Sequence, residues 1–157
     1  MHPDFVDLLF ALNAEAVRYL VVGGYAVSLH AQPRATKDLA LLVECDETNA
    51  VALYRALVRF GAPLEGLTSD DFSQPGSFFR MGAPPVMVDI LPAIDGVEFG
   101  PAWSRRVDTI VDAERGVSAS FISMDDLISA KVAAGRMQDL ADVVALRSAR
   151  AANAEGV

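Results

Sequence analysis

A four-residue apolar run, Tyr19-Leu20-Val21-Val22, stops at Gly23-Gly24, and a second apolar stretch, Tyr25 to Ala31, follows at once. The first run is too short for a core helix. Closed by a glycine pair, it reads as a buried strand entering a helix through a tight turn. Short apolar runs recur at Thr36 to Val43, Phe78 to Met81, Val86 to Leu91, Val107 to Val111 and Val117 to Phe121. Helical patterns separate them. Phe5, Leu8, Leu9, Leu12 and Ala16 recur at helical spacing over residues 3–17, behind Pro3. Residues 48–60 form another helical segment, stopped by Gly61 and Pro63. Ser123 is a good N-cap for a helix over 124–134, and a last helix covers 137–150. Helices flanking several short strands, some of them antiparallel, give a mixed α/β (α+β) layer fold.

The 157 residues suffice for one domain, placed at residues 1–150, with a tail after Ala151 expected to fray. Residues 64–76 carry Thr68, Ser69, Asp70, Asp71, Ser73, Pro75 and Gly76, and read as a mobile loop. A composition of 52% hydrophobic and 22% charged residues excludes a disordered or fibrous chain. The single cysteine, Cys45, excludes an intramolecular disulfide and a four-cysteine zinc site. No apolar run reaches the ~18 residues of a transmembrane helix. Asp4 and Asp7 stand where a signal peptide carries basic residues, so a cytoplasmic setting is expected, with no membrane partner. The net charge of −8 excludes a globally basic surface for nucleic acid, though not a local basic groove.

Three segments carry chemistry. In Val22-Gly23-Gly24-Tyr25, glycines let the backbone approach a phosphate, and a following helix N-terminus offers unpaired N–H groups. The same turn also serves structure alone. In Arg34-Ala35-Thr36-Lys37-Asp38-Leu39-Ala40, Asp38 opens an apolar strand behind two basic residues. Strand alternation puts Asp38, Ala40 and Leu42 on one face. On local evidence alone, a simple ion pair is the readier account of Asp38. In Val86-Met87-Val88-Asp89-Ile90-Leu91, Asp89 interrupts an apolar strand and so needs a partner, a metal or a site.

Taken together, these segments resemble the nucleotidyltransferase superfamily, which includes DNA polymerase beta, the aminoglycoside and lincosamide nucleotidyltransferases, and toxin nucleotidyltransferases of bacterial toxin–antitoxin pairs. The pattern runs through Gly23-Gly24-Tyr25-Ala26-Val27, His30, Arg34 and Thr36-Lys37-Asp38. It continues at Asp89, Ile94-Asp95-Gly96 and Phe99, and ends in Asp126-Leu127-Ile128, Lys131, Arg136, Asp139, Asp142 and Leu146. It covers residues 20 to 147. The resemblance implies a nucleotidyltransferase fold and a Mg²⁺-dependent transfer of a nucleoside monophosphate from a nucleoside triphosphate. The implied acceptor is RNA (a tRNA 3′ end), a protein or a small molecule, and a toxin of this kind implies an antitoxin partner. Asp38 and Asp89 would hold metal, and Asp89 would help deprotonate the acceptor hydroxyl. Gly23, Gly24, Lys37, Lys131, Arg136 and Asp139 would meet the nucleotide and its phosphates.

One position departs from the family pattern. Its second metal-binding aspartate falls at position 40, where this sequence has Ala40. Glu44 shares the strand parity of position 40 but lies about 13 Å further along the strand and cannot replace it. Two Mg²⁺ ions held by three carboxylates orient the triphosphate in this superfamily. With Ala40 the chain is expected to be inactive or weak. Two origins are open: an introduced inactivating change, which the otherwise intact motif favours, or a natural degenerate member that binds nucleotide or a partner without catalysis. His30 reads as a hydrogen-bonding helix-end residue, and Phe78, Phe79 and Trp103 read as core or pocket wall.

Overall fold

The computed structural model describes residues 1–155. Six helices surround one six-stranded mixed sheet. In chain order the elements are α1 (Pro3–Ala14), β1 (Tyr19–Val22), α2 (Gly23–His30), β2 (Asp38–Val43), α3 (Glu47–Phe60), β3 (Phe79–Ala83), β4 (Val86–Leu91), α4 (Phe99–Ser104), β5 (Val107–Asp112), β6 (Val117–Phe121), α5 (Met124–Ala134) and α6 (Met137–Glu155). The sheet order is β3-β4-β2-β1-β6-β5. β2 runs parallel to β4 and antiparallel to β1, and β1 runs parallel to β6. The two hairpins, β3–β4 and β5–β6, form the two ends of the sheet. This is the mixed α+β fold expected of the chain.

The centre of the sheet is the driest part. All four residues of β1 are buried, as are Leu39, Leu41, Leu42 and Val43 of β2. A strand buried on both faces needs a continuous apolar run, which explains why β1 shows no polar alternation. Leu8, Leu9 and Leu12 of α1, with Leu53 and Leu57 of α3, complete the core. At roughly 25 cal/mol per Å² of apolar area removed from water, such side chains contribute about 1.5–3 kcal/mol each. Helix ends follow their signals: Asp46 accepts from the Asn49 N–H at the start of α3, and Ser123 accepts from the Asp126 N–H at the start of α5.

Several elements differ from the sequence reading. Residues 64–76 do not form a free loop. Ser69–Ser73 is a 3₁₀ turn, and the Asp71 carboxylate accepts from the Thr68 N–H at 2.7 Å. Phe72 anchors this segment: it is buried, and its ring meets Phe79 edge-on with centroids 5.5 Å apart. Phe72, with Leu64 and Leu67 packed against the core, fixes a segment otherwise made of polar and turn-forming residues, and composition alone concealed it. α4 was not expected, because its glycine and proline hid a six-residue helix. α6 runs to Glu155, five residues beyond the helix expected from the sequence, and Arg150 on it pairs with Asp125 of α5. The rest of the expected tail, residues 156 and 157, lies outside the described residues. Phe78 is exposed and belongs neither to the core nor to a pocket wall.

Candidate functional site

Strand register builds the site. Ala40 of β2 stands opposite Val22 of β1 on one side and Asp89 of β4 on the other, and Asp89 stands opposite Arg80 of β3. Directly paired residues point to the same face of a sheet. One row, Val22-Ala40-Asp89-Arg80, therefore crosses four strands. Asp38, two residues before Ala40, shares that face. The two acidic residues singled out in the sequence are thus brought together. Arg80 links them: its Nη2 lies 3.3 Å from an Asp38 carboxylate oxygen, and its Nε lies 3.2 Å from Asp89 Oδ1.

Beside this row lies a cavity of about 520 Å³. Its polar wall includes Gly23, Asp89, Asp95, Lys131, Arg136 and Asp139, and Ala40 lies on its floor. Leu91, Ile94, Leu127 and Ala130 supply an apolar side. Gly23 has φ +70, a left-handed conformation that a glycine adopts without strain. A side chain there would bring its Cβ to 3.3 Å from the Ala40 Cβ, so the turn sits directly on position 40. No side chain caps the N-terminus of α2 that follows. Gly24 has a different role. A Cβ there would meet Thr36 Cγ2 at 2.7 Å, so its missing side chain lets the segment before β2 close onto α2. Lys37 is exposed and does not line the cavity.

Lys131 is committed inside the protein. It is buried, with its Nζ 3.3 Å from Asp139 Oδ1 and 3.1 Å from Asp142 Oδ2. Asp142 also faces Arg34 at 3.4 Å and accepts from Gln138, while Asp139 is gripped by Arg136 through Nε at 2.6 Å. Both of its partner carboxylates come from α6. These partners hold the Asp139 carboxyl below the usual carboxylate range, the Arg136 hydrogen bond first among the causes. Arg136 itself is 78% exposed, so it is the wall's accessible cation.

At Asp89 burial pushes the carboxyl up, the Arg80 guanidinium draws it down, and Asp38 raises it again. Its Oδ1 is shielded from solvent and accepts no hydrogen bond, because the approach from Arg80 is close but poorly directed. His30 shares its Nε2 with the Ile122 carbonyl at 2.7 Å, tying the end of α2 to the segment after β6, as its sequence position implied. Trp103 stacks on Phe99 and lies under Arg106, away from the cleft.

A family model described as "Nucleotidyltransferase of unknown function (DUF6036)" matches residues 5–149. The chain belongs to that family. No curated protein matches the sequence. The family tie makes the donor set for Mg²⁺ a direct question. Nucleotidyltransferase chemistry of this superfamily would call on three carboxylates; the row here offers Asp38 and Asp89 with a methyl group between them. Among the described residues, no three His, Cys, Asp or Glu side chains gather to hold a metal. A guanidinium is already ion-paired to both carboxylates. The residues present do not fit a two-ion site.

Arg80, Asp95 and Asp142 are the neighbours to which the sequence reading gave no role. Arg80 had a legible signal: a single charge in Phe78-Phe79-Arg80-Met81, next to a strand carrying a single opposite charge, is the pattern of a cross-strand ion pair. Asp95 and Asp142 lay within the family-like pattern; Asp142 has Gln138 one turn earlier on α6, but its cations, Lys131 and Arg34, come from other elements.

Proposed function

We propose that the cleft binds a nucleoside triphosphate and that the chain as it stands transfers nucleoside monophosphate weakly or not at all. The observation carrying this reading is the β2–β4 register, which sets the methyl of Ala40 directly opposite Asp89 in the floor of the cleft. The Gly23 turn brings backbone to that floor, and backbone N–H groups at a helix start suit a phosphate. Arg136 supplies an accessible charge at the wall. The apolar side formed by Leu91, Ile94, Leu127 and Ala130 suits a nucleobase. Lys131 acts by holding Asp139 and Asp142 in place.

In the family reading, the missing carboxylate would be one of three around the metal ions that align the triphosphate; the acceptor would be RNA, a protein or a small molecule. The net charge of −8 disfavours a broad RNA surface. The test is transfer of label from each α-labelled nucleoside triphosphate with Mg²⁺, with and without total RNA, by the chain and by Ala40→Asp. Ala40→Asp should label an acceptor orders of magnitude faster, since proper positioning contributes several kcal/mol to such reactions. Equal labelling by the two proteins refutes the reading of position 40.

A further inference from the structure

We propose that Arg80 is the resident cation of the Asp38/Asp89 pair and keeps divalent ions out of it. The geometry assigns this role at three points. Arg80 stands opposite Asp89 in the β3–β4 register, so the sheet places its backbone beside the pair, and its half-exposed side chain lies over both carboxylates. Its guanidinium reaches both carboxylates, at 3.3 and 3.2 Å. One guanidinium faces two carboxylates and offsets half of their charge, where a third carboxylate at position 40 would leave it facing three. A divalent ion entering between Asp38 and Asp89 would have to displace this group and would find no third carboxylate to repay its dehydration. Ala40 and Arg80 are therefore two parts of one arrangement, a carboxylate fewer and a guanidinium of the chain's own in place of a metal ion. The inference builds on the cleft reading above but concerns cations alone, so it is tested without nucleotide.

Electron paramagnetic resonance of free Mn²⁺, titrated with the full chain, measures binding directly. The chain and Arg80→Lys, which keeps a cation at the site, should leave millimolar Mn²⁺ free. Arg80→Gln should bind one Mn²⁺ at least tenfold more tightly than the chain, and Ala40→Asp/Arg80→Gln more tightly still. Circular dichroism identifies the variants that are folded, and if Arg80→Gln is not, Arg80→Met takes its place. Tight Mn²⁺ binding by the unaltered chain overturns the proposal. So does a folded Arg80→Gln or Arg80→Met that binds no better than the chain. Failure here leaves nucleotide binding to be decided by calorimetry, which reads a different event.

Discussion

Asp139 shows how much one buried side chain does in this protein. It is almost fully buried, accepts from Arg136 and Lys131, and anchors the start of α6 against α5. Its folded-state pKa is lowered, so its contribution is complete above the unfolded carboxylate value of ~4 and disappears as pH falls through the lowered value. Asp126, held down chiefly by its hydrogen bonds with Arg105, adds to the same trend. Urea unfolding at pH 7, 4 and 3 should therefore show stability falling on acidification below pH ~4. Asp139→Asn should be less stable at pH 7, by about 3 kcal/mol if Lys131 is left with a partial partner set, and should show a shallower acid slope. An unchanged slope would mean that the cluster adds nothing to stability.

At the level of elements, the first two residues of α2, which follow β1 directly, are two glycines doing different work. Gly23 supplies a left-handed backbone beside Ala40, whereas Gly24 makes room for Thr36. Gly24→Ala should cost about 1–3 kcal/mol by overpacking, and Gly24→Ala/Thr36→Ala should recover most of it, because the clashing atoms are then gone. Equal stability of the two variants in denaturant unfolding would put the strain elsewhere. The sequence marked the junction of strand and helix, although the two glycines open α2 rather than form a turn ahead of it. Strand parity likewise put Asp38 and Ala40 on one face. What it could not reach were contacts set by register between strands and helices distant in sequence. Arg80 meets Asp38 across an intervening strand, 42 positions away, and Lys131 finds its carboxylates on the next helix. The 3₁₀ turn and α4 were hidden for a different reason: short segments rich in Gly, Pro and Ser carry little periodicity, and packing of Phe72 and Ala102 decides them.

For the molecule as a whole, the chain belongs to a nucleotidyltransferase family of unknown function, and nucleotide binding without efficient turnover is the reading proposed for its cleft. No helix among the described residues is long and apolar enough to cross a membrane. A net charge of −8 works against any polyanion, so the proposed binding would have to rest on the local cations and backbone N–H groups rather than on the overall field. Isothermal titration of the unaltered chain with ATP, GTP, CTP and UTP, each in Mg²⁺ and in EDTA, reads this directly. At least one nucleotide should bind at a single site with submillimolar affinity that is the same in Mg²⁺ and in EDTA. The absence of saturable heat with all four at millimolar concentration would contradict a nucleotide-binding cleft.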